Sequence, residues 1–247
     1  MDWTDEGIFL NARKYGETAS IATIFTCCHG RHAGLVRGGV SRRLKPILQT
    51  GNIVQCAWRA RLEENLGSYT IELCCANAAA LLDSPVALSG MTSACALSDV
   101  LLPEREPYPD VFHSLRNLLN IMAQDDSWPA VYVRWELELL KELGFGLSLK
   151  SCAATGQGRN LVWVSPKTGR AVSGEAGAPY ADRMLPLPKF LLYENSPSVE
   201  ELQTGLALTG HFLERVAEIN GCKLPLARDQ FIDTFSRKYT TCCAKDG

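Results

Sequence analysis

The chain has 247 residues, 46% apolar and 21% charged, with a formal net charge of −2. That is material for one large domain or two to three small ones, within the ordinary range of soluble globular proteins. No run approaches the roughly 18 apolar residues of a membrane-spanning helix, and the opening MDWTDEGIF lacks the apolar region of a secretory signal.

Without an export signal the expected setting is a reducing cytoplasm, so the ten cysteines are read as free thiols. The adjacent pairs Cys27–Cys28, Cys74–Cys75 and Cys242–Cys243 do not have the spacing of a stapled scaffold, and most of the ten are expected to be buried as small apolar residues. Charge is uneven along the chain: net +2 over residues 1–80, −5 over 81–150 and +1 over 151–247.

Residues 7–75 read as β-structure. Gly7–Lys14 ends at the turn signal Tyr15-Gly16, and Ala19–Thr26 follows with Ile21, Thr23 and Phe25 on one face and Ala22 and Ile24 on the other. Gly30 suits a tight turn into a third strand, His32–Arg37. In Asn52–Arg61 the apolar set Val54, Cys56, Trp58 alternates with Gln55, Ala57, Arg59, which puts Arg59 and Arg61 on the opposite face. Ser68–Cys75 is a fifth strand. Five short strands with hairpin-like turns suggest a small closed barrel, either an OB-fold or an SH3-like barrel.

Between Glu17 and Glu63 there is neither Asp nor Glu, but seven cations: Arg31, Arg37, Arg42, Arg43, Lys45, Arg59 and Arg61. Four of them fall in or beside a glycine-containing stretch, Arg37–Lys45, read as a mobile basic loop. Cations along a barrel with nearby rings are the usual means of holding a single strand without reading its sequence. The candidate nucleic-acid contacts are Arg13, Lys14, Arg31, His32, Arg37, Arg42, Arg43, Lys45, Arg59 and Arg61. Phe25 and Trp58 fall on apolar faces and are read as core.

From residue 76 the period changes to helical. Ala76–Leu82 is helical by propensity, Ser84-Pro85 opens the next helix, and Asp110 is the expected cap of a third. Trp128-Pro129 starts a fourth, ended by Gly144. Residues 150–185 are glycine-punctuated, with one strand-like piece at Leu161–Val164. Ser198 and Glu201 form a capping box for a long helix, and a last helix starts near Pro225.

Catalytic signatures are missing: there is no phosphate-binding P-loop, no G-x-S-x-G elbow and no H-E-x-x-H. No pair of carboxylates stands out from solvated helix faces, so an enzyme such as a nuclease is disfavoured. Zinc wants two C-x₂₋₄-C pairs, which the chain lacks, and Cys28, His29 and His32 straddle a predicted turn.

The blocks WTDEGIFLNARKYGETASIATIFT, HGRHAGLVRGGVSRR with LKPILQTGN, LLPEREPYPDVFHSL, YVRWELELLKELGFGLSLKSCAATG, VSPKTGRAV with GAPYADRMLPLP, and LPLARDQFI resemble, in order and spacing, the bacterial DNA repair and recombination mediator family RecO, in its alphaproteobacterial form. The resemblance covers nearly the whole chain. It implies an α+β protein: an OB-fold over 1–78, a helical domain over 79–149 and 188–247, and a zinc-finger-like insertion over 150–187. It also implies a cytoplasmic, nucleoid-associated and non-catalytic protein, monomeric by itself. Such a protein binds single- and double-stranded DNA, anneals complementary strands, associates with RecR and binds the C-terminal tail of single-strand-binding protein (SSB), helping RecA load. Arg134 matches an arginine of the family's tail-binding helix and is the candidate to meet a terminal carboxylate; an ion pair with Glu138 is its ordinary alternative.

Some family members hold zinc with four cysteines in the insertion. Only Cys152 matches here; Ala153-Ala154-Thr155 and Val172–Ala176 supply no further thiol. A metal-free finger without cofactors is therefore expected, held by glycine turns and by Val162, Trp163 and Val164. The alternative function is an adaptor that binds the SSB tail, with only incidental DNA contact.

Overall fold

A computed structural model describes residues 1–243, with side chains through Tyr239. They form two compact units, residues 1–125 with 225–238, and residues 126–224 with the described residues from 239.

In the first unit, β1 (Asp2–Tyr15), β2 (Ala19–Thr26), β3 (Gly30–Val36), β4 (Ile53–Arg59) and β5 (Ser68–Cys75) close a barrel in the order β1-β2-β3-β5-β4. This is the five-stranded OB arrangement, and it decides between the two barrels considered. β1 begins at Asp2 rather than Gly7 because it serves two neighbours. Its first half pairs with β4, from Asp2↔Arg59 to Ile8↔Ile53, and its second half with β2. A bulge between Phe9 and Asn11 bends the strand from one partner to the other. A short parallel contact, Leu35↔Ser68 and Val36↔Tyr69, completes the closure.

The barrel interior holds Phe9, Ala22, Ile24, Val54, Cys56, Trp58, Tyr69 and Ile71. The outer face of β2 is buried as well, and Phe25 meets Phe112 edge-on at 5.6 Å. Each such large side chain contributes roughly 1.5–3 kcal/mol relative to exposure. Phe25 and Trp58 are core, as their strand faces predict.

The connection between β3 and β4 is built of hydrogen-bonded turns rather than an open loop. Leu44 and Lys45 donate to the Ser41 carbonyl, and Ile47 and Leu48 to that of Leu44. The turns so made pack Leu44, Ile47 and Leu48 against the barrel core. The buried Asn52 amide donates to Pro46 and Ile47 at 3.0 and 3.1 Å and fixes these turns to the start of β4. The apolar residues between the cations, rather than the cations, determine this conformation.

Helix α1 (Asn77–Ala80) is a single turn where Ala76–Leu82 was expected, because Asn77 turns inward and its amide donates to the Gly51 carbonyl at 2.9 Å. Helix α2 (Pro85–Leu101) has Pro85 in its first turn, and Ser84 precedes it without a side-chain capping bond. Helix α3 (Pro109–Met122) begins one residue before Asp110. Pro109, with no N–H to satisfy, takes the first position, so Asp110 is not the cap and lies in the first turn, where its charge still suits the helix dipole.

In the second unit, α4 (Trp128–Leu140) packs along α6 (Val199–Ile219). Gly144 follows α4 at φ 84°. The capping box at the start of α6 is present: the Glu201 amide donates to Ser198 Oγ and the Ser198 amide to Glu201 Oε2, both at 3.2 Å. The thiol-poor insertion is a three-stranded sheet of β6 (Leu161–Val164), β7 (Ala171–Ser173) and β8 (Leu185–Pro186), in the order β7-β6-β8, with the short helix α5 (Gly174–Gly177). The last helix, α7 (Leu226–Cys243), belongs to the first unit as far as residue 238 and carries the buried Phe231 and Phe235. No helix among the described residues is long and apolar enough to cross a membrane.

The cysteines correct one expectation. Those described are free, but only Cys56, Cys95 and Cys152 are buried, while Cys28, Cys74 and Cys75 are exposed. Cys74 and Cys75 end β5 beyond its contact with β3, where both strand faces reach solvent. The Cys242 and Cys243 side chains lie outside the described residues.

Candidate nucleic-acid interface

Eight of the ten candidate contacts are exposed: Arg13, Lys14, Arg37, Arg42, Arg43, Lys45, Arg59 and Arg61. Arg31 and His32 are not available, for different reasons. The side chain of Arg31 turns toward the end of α2, where Nε donates to the Leu102 carbonyl at 2.8 Å and a terminal nitrogen lies 3.5 Å from Asp99. Asp99 also accepts from the Asn11 amide, and burial raises its carboxyl above the usual range against the pull of Arg31. His32 is 3% exposed, on the inward face of β3, with its Nδ1 3.2 Å from the Tyr69 hydroxyl. Burial, and then the charge of Arg105, lower its pKa to about 4. It is a neutral core residue at physiological pH.

The exposed cations form separate sets rather than one stripe. Arg37 and Arg43 both line a groove of about 550 Å³, together with Ser41 and Leu44 of the β3–β4 connection and Ser68–Ile71 of β5. Lys14 is at the same end of the barrel, since the row Lys14↔Ser20↔Val36↔Tyr69 leads directly to Arg37. Lys45 belongs to a smaller groove of about 350 Å³ with Pro46, Gln49, Ala79 and Leu82.

Arg59 stands on the outward face of β4 between Asp2 and Ser68, and Arg61 on the β4–β5 connection. The next outward row is the neutral Thr4–Ala57–Thr70, and the one beyond it, Glu6–Gln55–Glu72, brings in acids that are remote in sequence. Glu6 is paired with Arg116 at 2.7 Å. The groove that Arg37 and Arg43 line carries hydroxyls from Ser41, Ser68, Tyr69 and Thr70 and no acid among its lining residues.

Sequence reasoning missed Trp3, His29 and Arg105. Trp3 lay outside the strand as first drawn, although Asp2, Trp3 and Thr4 already alternate polar, apolar, polar. It stacks on His29 with centroids 4.0 Å apart and planes 6° from parallel. Arg105, from the segment before α3, donates to the carbonyls of Glu63, Glu64 and Asn65 and so holds the β4–β5 connection. No local pattern marks Arg105, because its partners are some 40 residues away.

In the second unit, Arg134 is exposed but anchored. It donates to the Phe190 carbonyl at 2.8 Å and lies 6.0 Å from the centroid of the Phe190 ring. Glu138, the expected ion-pair partner, instead meets Lys141 at 2.7 Å. In the insertion, Cys152 takes Ser173 as its partner across the sheet: Ser173 N–H donates to the sulfur at 3.3 Å and Ser173 Oγ lies 3.4 Å from it. These bonds, with Thr155, lower the thiol to about 6.

Comparison with known families agrees with this architecture. Residues 1–75 match the family model described as recombination protein O N terminal, and residues 82–223 the one described as recombination protein O C terminal. The chain is 50% identical over 244 residues to a DNA repair protein RecO of Rhodospirillum centenum, covering 98% of this chain and 97% of the relative. It is 46% identical over 240 residues to one of a Ruegeria species, covering 96% and 100%, and 47% identical over 238 residues to one of Xanthobacter autotrophicus, covering 96% and 98%. By the match of both halves in order, and by identity along nearly its whole length, the chain belongs to the recombination protein O (RecO) family.

Proposed function

We propose that this chain is a non-catalytic recombination mediator in DNA repair. The coarse role, DNA repair and recombination, follows from RecO family membership. The finer reading is that the barrel binds single- and double-stranded DNA through phosphates and that the protein anneals complementary strands. With RecR it helps RecA load onto SSB-coated single strands. The observation that carries this is the exposed Arg37–Arg43 groove on an OB barrel whose other walls are hydroxyls and apolar groups. Lys14, Arg42, Lys45, Arg59 and Arg61 add separate cationic contacts on the same barrel, and the protein acts in the nucleoid. The functional segments are 1–78 for DNA, 79–149 with 188–247 for protein contacts, and 150–187 as a metal-free insertion.

Arg134 on Phe190 offers a cation beside an aromatic ring, which suits the carboxylate and apolar end of the SSB tail.

An annealing assay on SSB-coated complementary strands, with and without tail peptide as competitor, tests the whole reading. Annealing that the peptide inhibits is the expected result. Tight peptide binding by a protein with no DNA affinity would leave only an adaptor. If five to seven cations neutralise phosphates, log affinity for single strands falls with log salt at a slope of roughly −3.5 to −5.

A further inference from the structure

A second hollow opens at the β2–β3 turn, between the start of β1 and the β4–β5 connection, with a volume of about 510 Å³. We propose that it holds one unstacked nucleobase of a bound single strand, as a continuation of the ring stack that Trp3 and His29 begin. This deepens the reading of the barrel as a single-strand surface and rests on it.

Three observations carry the proposal. The first is the stack itself. Trp58, Trp3 and His29 lie in succession, Trp3 being 5.8 Å and 21° from Trp58 and 4.0 Å and 6° from His29. Trp58 is buried, but the His29 side chain is 33% exposed. Trp3 covers one face of the His29 ring, and the exposed third of the side chain lines the hollow, where a further ring can meet it. The second is preorganisation. Asp5 lies 3.3 Å from His29 Nδ1 and accepts from the Cys28 amide, and the His29 amide donates to Thr26 Oγ1. A ring held this way loses little freedom on binding.

The third is charge. The terminal amine of Met1 and Arg105 face Asp2 and Glu63 around the same hollow, so its walls balance. The Met1 amine is occupied by the Ala60 carbonyl at 2.7 Å, and Arg105 by the carbonyls of residues 63–65. Such a site has no preference for a phosphate but suits a flat, neutral, polar ring, with carboxylates to accept from exocyclic amines. Cations for the flanking phosphates are next to its lining residues in register and in sequence: Arg59 lies opposite Asp2 on the neighbouring strand, and Arg61 follows Ala60, whose carbonyl holds the Met1 amine. The size is that of a small-ligand pocket.

The experiment uses the full chain and short oligonucleotides, single-stranded and duplex. His29→Ala is expected to weaken single-strand binding roughly 5- to 150-fold, the range for loss of one base–aromatic contact. The salt slope and duplex affinity should stay unchanged, because stacking involves no phosphate and duplex bases are already stacked. His29→Phe keeps the ring and should keep the affinity. An oligonucleotide carrying 5-iodouracil should photo-crosslink wild-type protein within residues 1–5 or 27–31. That readout stands if His29→Ala fails to fold.

Wild-type binding to single strands that His29→Ala leaves intact, or loses equally for duplex, overturns the proposal while sparing the barrel's function. Crosslinks confined to the Arg37–Arg43 groove do the same. Competition by an aromatic peptide and not by oligonucleotides would assign the hollow to a protein partner and also overturn it. No salt-dependent binding of single strands by wild type overturns both readings.

Discussion

Inside the barrel the Tyr69 hydroxyl lies 3.2 Å from Nδ1 of His32, and both residues are buried. The pair joins β3 to β5 beside their short parallel ladder, Leu35↔Ser68 and Val36↔Tyr69. An imidazole there must be neutral, and its pKa is lowered to about 4 by burial and then by Arg105.

The sign of the pH effect follows. The unfolded imidazole, with a pKa near ~6.5, binds a proton more readily than the folded one. Stability is therefore full above that value and falls as pH drops toward 4. Allowing for partial solvent screening, about 1–2 kcal/mol should be lost between pH 7.5 and pH 5. Urea unfolding at the two values measures it. In His32→Gln the difference should shrink; an unchanged difference would assign it to other groups.

Arg37→Ala with Arg43→Ala should weaken binding to all single strands alike and flatten the salt slope by roughly 0.7 per cation removed. Titrations at several salt concentrations with two unrelated sequences provide the check. Sequence-selective loss would contradict phosphate tracking.

Arg31→Ala should behave differently although Arg31 sits in the same acid-free stretch. It removes the bond to Leu102 and leaves the partly buried Asp99 without its cation. A loss of roughly 1–3 kcal/mol in stability is expected, against less than about 0.5 for the exposed Arg42→Ala. Thermal unfolding of the two variants side by side separates a structural cation from a surface one.

Arg134→Ala should lower affinity for an SSB-tail peptide about 10-fold, the scale of a charge-assisted bond, with the DNA salt slope unchanged. Arg134→Lys should recover only part, because a point charge lacks the planar fork. Peptide anisotropy measures both; an unaffected Arg134→Ala would move the tail site elsewhere.

The insertion should contain no stoichiometric zinc. Cys152→Ala should loosen it locally, with faster hydrogen exchange at Ser173, whose amide donates to the Cys152 sulfur. Stoichiometric zinc in purified protein would refute the metal-free finger.

The strands, the capping box at Ser198 and the core positions of Phe25 and Trp58 were legible in the sequence, because alternation and capping are local and repeat within a few residues. The family blocks were legible too, and they carried the fold class and the coarse role. The acid-free run from 18 to 62 marked the barrel as a cationic element, but it did not reveal which cations face outward together. Strand pairing decided that. It turned His32 into the core, brought Arg31 within reach of Asp99, and placed Asp2, Glu6 and Glu72 beside β4, whose one charged residue is Arg59. The ring stack of Trp3 on His29 and the grip of Arg105 on residues 63–65 likewise exist only after closure. Periodicity assigns a residue to a face of its own strand. Which faces become neighbours depends on register and barrel closure, which join residues tens of positions apart.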